Sequence, residues 1–395
     1  MVEIKTIAIV GSGIMGTDIA QVSLMAGYNV IIVDIKQEFV DKSAVNIEKG
    51  LKKVEAKGKL GPEVTASDLV AKISKSIDLG EAVKNADFVI EAVIEKLDIK
   101  KQVCKNVMEN GPDHIIFASN TSTMSITEIG KESVAPERVC GIHFFNPVPL
   151  MRAIEVIKSS DTSDETFDIA MSVARKLPCL RGARYIAPVL KDSPGFIVNR
   201  LNAPVQLYLS WCFDQTAEKG LDWAQLDADA GGKMPMPPCV LMDFVGIDTA
   251  YHVLDYYKKN LSPDFDSGKK FAEFYNNKQL GQKTGKGFYD WSQGKDAIME
   301  KIKNAEPAGI FDLSTTFAIM LNEGCRILDE GIASGYKIID DANMAGMNTP
   351  GPFSSGKRNF EAWAKLLDDL AEKTGKEYFR PVELMKSGEF SKMRK

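Results

Sequence analysis

The residues best suited to chemistry stand in two groups. The first is a glycine run, Gly11-Ser12-Gly13-Ile14-Met15-Gly16, set after the apolar stretch 7–10 and followed, past a second apolar stretch at 30–33, by Asp34. Strand, glycine turn, helix, strand and terminal acid make the dinucleotide-binding arrangement. Gly11 permits the tight turn, Gly13 lets the backbone approach a pyrophosphate, and Gly16 lets the helix opened by Ile14 and Met15 lie close to the sheet. The pyrophosphate sits at the helix N-terminus, where free N–H groups and the helix dipole favour negative charge. Asp34 can accept both hydroxyls of an adenosine ribose and would repel a 2′-phosphate, so the expected cofactor is NAD rather than NADP.

The second group is His143 with Glu155. Moving a hydride between NAD and a carbon bearing a hydroxyl requires a base for the hydroxyl proton, and histidine is the natural base near neutral pH. His143 ends the strand-like run 138–145 and is followed by Phe144-Phe145-Asn146-Pro147-Val148-Pro149. The chain then returns through a short strand, 152–157, whose Glu155 can reach His143. A carboxylate on the far nitrogen would fix the tautomer and stabilise the imidazolium. His114 and His252 have no such companions and read as structural.

These residues need a scaffold, and the chain has the pattern for one. Strand-like runs recur at 86–92, 114–119 and 139–145 with helical segments between them, which predicts a mostly parallel, doubly wound α/β sheet of the Rossmann type. Residues 38–60 read as a lysine-rich helix or helical hairpin. In Leu190-Lys191-Asp192-Ser193-Pro194-Gly195, Asp192 or Ser193 can cap a helix over 196–217, after which strand signals almost vanish. The expected division is a Rossmann-type domain at 1–188, a helical domain at 189–291 and a second helical domain at 292–395. The last two resemble each other weakly: residues 209–238 and 321–352 both run helix, turn, helix, proline, which suggests duplication.

With 395 residues, 44% hydrophobic and 26% charged, the composition is that of an ordinary soluble globular protein, and a net charge of −5 argues against general nucleic-acid binding. Six scattered cysteines form no C-x-x-C pair and, with three histidines, no metal-ligand spacing. No stretch is long and apolar enough for a membrane span, and the first strand starts too near Met1 for a leader, so a cytoplasmic protein with no metal is expected.

Taken in order, G-S-G-I-M-G, V-I-E-A-V-I-E, S-N-T-S-T, H-F-F-N-P-V-P-L-M-R-A-I-E-V-I, D-S-P-G-F-I-V-N-R and K-T-G-K-G-F-Y-D-W resemble the 3-hydroxyacyl-CoA dehydrogenase family, including 3-hydroxybutyryl-CoA dehydrogenases, across residues 5–291. The resemblance implies that His143 is the catalytic acid/base, that Glu155 orients it, and that Ser122 binds the substrate's 3-oxygen with Asn199 at the active site. It implies that Glu95 and Lys100 line the ribose and phosphates of NAD, with Asn120 beside them, and that the substrate is an (S)-3-hydroxyacyl thioester of coenzyme A. Lys49 and Lys53, in the lysine run, can meet the phosphates of that thioester.

The residues alone leave other readings open. Ser122 and Asn120 can close a polar turn, Asn199 can cap or bridge helices, and Glu95 with Lys100 can be a solvated pair. A dehydrogenase of a free hydroxy acid or sugar acid is the alternative within enzymes, and an idle NAD-binding structural protein the alternative outside them. Two departures stand out. Leu207-Tyr208-Leu209-Ser210-Trp211 occupies the place where related sequences read L-N-E-A, a pattern found instead at Leu321-Asn322-Glu323-Gly324, and Pro235-Met236-Pro237-Pro238 lacks the usual glycine. Single-length members of the family are generally dimers, so the second helical copy is expected to replace a partner and leave a monomer.

Overall fold

Short apolar runs become eight strands: β1 (Thr6–Val10), β2 (Asn29–Val33), β3 (Ile73–Ser76), β4 (Phe88–Glu91), β5 (Ile116–Ser119), β6 (Val139–Phe144), β7 (Ala153–Ile157) and β8 (Tyr185–Val189). In the computed structural model, which describes residues 3–234 and 236–394, they form one sheet in the order β3-β2-β1-β4-β5-β6-β7-β8. Every neighbouring pair is parallel except β6 with β7. The order reverses at β1, which lies between β2 and β4, and such a switch point opens a crevice at the carboxyl ends of the strands. Pro235 of the proline-rich turn lies outside the described residues.

Helices α1 (Ile14–Met25), α2 (Gln37–Glu55), α3 (Leu97–Asn110), α4 (Ile126–Gly130) and α5 (Asp164–Lys176) alternate with the strands. Farther along come α6 (Val198–Glu218), α7 (Leu313–Asp329), α8 (Tyr336–Met347) and α9 (Phe360–Thr374), among shorter helices. Alternate residues of the strands share one face. Ile7 and Ile9 of β1, Val30 and Ile32 of β2 and Phe88 and Ile90 of β4 belong to a single core cluster with α1 and α5. The lysine-rich stretch is one long helix: Val40, Ser43, Ile47, Leu51 and Val54 of α2 are buried at helical spacing.

Two compact units emerge, one of Met1–Val198 with Glu330–Gly351, the other of Asn199–Asp329 with Pro352–Arg394. These bounds differ from the expected division at 188 and 291. The first unit runs to Val198 because the N–H groups of Ile197 and Val198 donate to Glu155 of β7, at 3.0 and 2.8 Å. Residues 330–351 join it because the Leu190 N–H, just past edge strand β8, donates to the Ile332 carbonyl at 2.8 Å and α8 packs beside β7 and β8. The expected cap at Asp192 is also corrected. Its carboxylate accepts the Ser125 hydroxyl and the Thr127 N–H at 2.6 and 2.9 Å, capping α4, and the next helix begins only at Val198.

In the second unit the displaced L-N-E pattern has a packing role. Glu323, fully buried, pairs with buried Arg200 and with Arg326 at 2.9 Å, and accepts the Tyr378 hydroxyl at 2.9 Å. Asn322 donates to the Arg380 carbonyl and accepts the Val382 N–H, while a side chain on Gly324 would meet the Phe353 ring at 2.6 Å. The K-T-G-K-G-F-Y-D-W motif is a clasp. Asp243 accepts the N–H groups of Phe288 and Tyr289 and the Trp291 indole, and Asp227 accepts the Tyr289 hydroxyl. The six cysteines are free thiols, and burial pushes those of Cys104 and Cys140 up to about 12, so neither is poised for reaction. No helix among the described residues is long and apolar enough to cross a membrane.

Candidate active site

Because β1, β2, β4, β5 and β6 are parallel, the residues at their carboxyl ends share one edge of the sheet. That edge collects the glycine turn after β1, Asp34 after β2, Glu91 at the end of β4 with Glu95 beyond it, Asn120 and Ser122 after β5, and His143 on β6. The glycine turn is tight. Gly11 has φ +99°, and a Cβ on Gly16 would fall 1.8 Å from the Gly11 carbonyl, so neither position admits a side chain without rearrangement.

The turn opens α1 at Gly13 with no side-chain cap, and a Cβ there would meet nothing within 4 Å. An uncapped helix start facing open space suits a pyrophosphate. Ile14 stands exposed beside it and Met15 turns toward the core. Asp34 accepts the Ser12 N–H and hydroxyl at 2.7 and 2.6 Å and the Ile35 N–H at 2.7 Å, which fixes the carboxylate at the end of β2. A cavity of about 950 Å³ runs from Gly11–Ile14 past Asp34 to Lys49 and Lys53 of α2. The NAD expected from the sequence therefore has a fitting site: Gly11, Gly13 and the start of α1 would hold its pyrophosphate and Asp34 its ribose. Asp18 lines the same cavity, its carboxyl raised above the usual range by burial against the opposing pull of the Val148 backbone.

His143 and Glu155 face each other in the antiparallel register of β6 and β7. His143 Nδ1 lies 2.7 Å from Glu155 Oε2, with the histidine 5% exposed and the glutamate 0%. Glu155 Oε1 takes the two backbone N–H groups of Ile197 and Val198, so the carboxylate is held on both sides. An ionised carboxylate only accepts, hence Nδ1 carries the proton and Nε2 is the nitrogen able to take another. Phe145 and Phe196 flank the imidazole at ring centroid distances of 4.6 and 5.7 Å. Asn199 directly follows Val198 in the first turn of α6.

Ser122 is tied to Glu95, whose Oε1 accepts its N–H at 2.9 Å. Asn120 serves the backbone, its side-chain carbonyl oxygen accepting the Phe144 N–H at 2.9 Å and so joining the end of β5 to the residue after His143. Lys100 is 1% exposed and bonded to Glu91 at 2.8 Å and Glu95 at 3.0 Å, so its ammonium lies between two carboxylates. Four contributors escaped the sequence reading: buried Glu91 and Ser119, and the rings of Phe145 and Phe196. A carboxylate closing the wholly apolar run before Glu91 was the available signal.

Two family models match this chain, the NAD-binding domain of 3-hydroxyacyl-CoA dehydrogenase over residues 6–179 and its C-terminal domain over residues 195–291. The chain belongs to the 3-hydroxyacyl-CoA dehydrogenase family. It is an NAD-dependent oxidoreductase of that family. The mitochondrial hydroxyacyl-coenzyme A dehydrogenase of Rattus norvegicus is 36% identical over 299 residues, covering 73% of this chain and 91% of that one. The fatty acid oxidation complex subunit alpha of Idiomarina loihiensis is 34% identical and spans 95% of this chain against 56% of its own length. A crystal structure of 3-hydroxybutyryl-CoA dehydrogenase from Escherichia coli K12 matches with a TM-score of 0.84 at 25% identity, over 98% of both chains.

Proposed function

We propose that this protein interconverts short (S)-3-hydroxyacyl-CoA thioesters, 3-hydroxybutyryl-CoA foremost, and the corresponding 3-oxoacyl-CoA. The observation that carries the reading is the buried His143–Glu155 pair, 2.7 Å apart and fixed by strand register. Bound NAD supplies the acceptor or donor of the hydride at the substrate's third carbon. In oxidation His143 Nε2 takes the hydroxyl proton, and in reduction it returns one. Glu155 keeps Nδ1 protonated and offsets the charge on the ring while it is an imidazolium. Ser122 and Asn199 hold the 3-oxygen, Asp34 and Glu95 the cofactor's ribose, and Lys49 and Lys53 the phosphates of coenzyme A. Support for a short acyl chain comes from the match to a 3-hydroxybutyryl-CoA dehydrogenase along nearly the whole chain.

The test is His143→Ala. Proton transfer by a positioned base contributes about 10²–10⁴-fold, and His143 is no part of the NAD cavity, so turnover of acetoacetyl-CoA with NADH should fall by that range while NADH affinity stays. Near-parental turnover in this variant rejects the assignment.

A further inference from the structure

The turn that follows His143 is held from outside, and the reaction as described does not use what holds it. Residues 145–152 join β6 to β7 just past the His143–Glu155 rung, with Phe144 opposite Ile154 as the last pair. Pro147 and Pro149 have no N–H, so the turn offers more carbonyls than donors. Within it, the Pro147 oxygen takes the N–H groups of Leu150 and Met151, both at 2.9 Å. The next carbonyls, 148 to 152, are all taken by the segment 179–185, which leads into edge strand β8. Arg184 donates to Val148 and Met151 at 3.0 and 2.6 Å, and the Cys179 thiol to Leu150 at 3.4 Å. The N–H groups of Leu180 and Tyr185 donate to Pro149 and Arg152 at 2.8 and 2.9 Å.

Arg184 is the centre of this contact. Its guanidinium also donates to the carbonyls of Leu177 and Pro178, at 3.2 and 2.7 Å, and so joins the turn to the loop after α5. Its partners are main-chain oxygens, and among the described residues no carboxylate pairs with it. Holding a part-buried cation without a counter-ion is costly, and burial lowers its pKa. A rigid fork of donors with no acceptor is what a carbonyl-rich turn can use, and a lysine ammonium on a flexible stem does not reproduce it.

What the turn controls is Phe145. A single hydrogen bond from Nδ1 to Glu155 leaves the imidazole able to swing about that contact, and the flanking rings of Phe145 and Phe196 stop it. Phe196 precedes Ile197 and Val198, which are anchored on Glu155. Phe145 lies past the strand pairing, two residues before Pro147, and its place depends on how the turn is held.

We propose that Arg184 is a positioning residue: by clasping the turn 147–152 it sets the Phe145 ring against the imidazole and so the direction in which His143 Nε2 points. The proposal rests on the reading of His143 as the acid/base given above.

The experiment compares Arg184→Met, Arg184→Lys, His143→Ala and each Arg184 variant combined with His143→Ala, on the full chain with acetoacetyl-CoA and NADH, below every unfolding midpoint. Displacement of a reacting group by about 1 Å costs roughly a hundredfold. Arg184→Met should therefore lower kcat by about 10- to 100-fold, with KM and NADH Kd changed less than about threefold. Arg184→Lys, which keeps the charge but not the fork, should lower kcat by at least about fivefold. In the His143→Ala background either change should alter kcat by less than about threefold, because no base is left to aim. Arg184→Lys carries both arms if Arg184→Met does not fold. Parental kcat in a folded Arg184→Met of lowered unfolding temperature overturns the proposal in favour of a structural clasp. A multiplicative loss in the doubles overturns it while leaving His143 in place, and a tenfold higher KM at unchanged kcat overturns it in favour of a substrate contact. Near-parental turnover in His143→Ala alone removes the reading of His143 and this proposal with it.

Discussion

Replacing Glu155 with glutamine is a one-atom change whose consequence can be worked out from three hydrogen bonds. Oε1 accepts two backbone N–H groups, from Ile197 and Val198, and Oε2 accepts from His143 Nδ1. An amide has one oxygen, so it cannot serve both sides. If the oxygen stays on the backbone, the NH₂ group faces Nδ1, which must then give up its proton, and Nε2 is left protonated and unable to act as a base. If the amide flips, the imidazole keeps its working tautomer but two buried N–H groups lose their acceptor, at about 1–3 kcal/mol each. The flipped arrangement is therefore disfavoured by about 2–6 kcal/mol, which leaves a working fraction of roughly one in thirty to one in twenty-five thousand. The upper end agrees with the loss of about 10⁴-fold when a triad carboxylate becomes an amide. Oxidation of 3-hydroxybutyryl-CoA by Glu155→Gln should fall within that range, with NADH affinity and thermal unfolding close to the parent because the unflipped amide keeps the backbone bonds. A loss below fivefold in a folded variant would refute the tautomer argument.

The fixed carboxylate of Asp34 should favour NADH over NADPH by at least about tenfold in kcat/KM, since a 2′-phosphate forfeits one or two charge-assisted hydrogen bonds at about 1.5–3 kcal/mol each; comparable efficiency with both cofactors contradicts this. Burial pushes the Asp227 carboxyl up to about 6 despite N–H and hydroxyl donors, so the folded state binds its proton more tightly than the unfolded state. Its stabilising contribution, about 3 kcal/mol, is complete below about pH 4 and lost as pH rises through 6, and the change in stability over that window should shrink in Asp227→Asn. Identical pH slopes for the two proteins would show that Asp227 is not the source. A valine at Gly346 would press on the Phe145 ring, 3.2 Å from the bare Cβ position, and through it on His143. Gly346→Val should lower both the unfolding temperature and kcat, overpacking costing about 1–3 kcal/mol, and parental values of both exclude the contact. Light scattering should find the intact chain monomeric and a chain ended at Trp291 dimeric or aggregated, since truncation strips Arg200 of Glu323 and edge strand β8 of α8; an intact dimer rejects this.

The sheet was legible where burial and chemistry coincide. β1, β2, β4, β5 and β6 are apolar but for one residue at or next to an end, as expected of strands covered on both faces. β3, Ile-Ser-Lys-Ser, and β8, with Pro188, were not legible because edge strands are half solvated and carry no such run. The His143–Glu155 pair followed from a strand, a proline turn and a returning strand. The burial of Lys100 was not legible for a physical reason: a lysine on a helix reads as a solvated cation, and only the tertiary fold shows two carboxylates around it. The packing of residues 330–351 was not legible either, because helical periodicity records that α8 has an apolar face and not that β7 and β8 cover it.

The central claim is that the His143 site works on a coenzyme A thioester with NAD. The direct measurement is NADH oxidation by the purified full chain against acetoacetyl-CoA, longer 3-oxoacyl-CoA thioesters and free acetoacetate, each at equal concentration. The account predicts rapid turnover of acetoacetyl-CoA, declining with chain length, and kcat/KM lower by at least about a hundredfold for the free acid, which lacks the phosphates proposed to meet Lys49 and Lys53. Equal efficiency with the free acid, or no turnover of any thioester by protein that binds NADH, would contradict it.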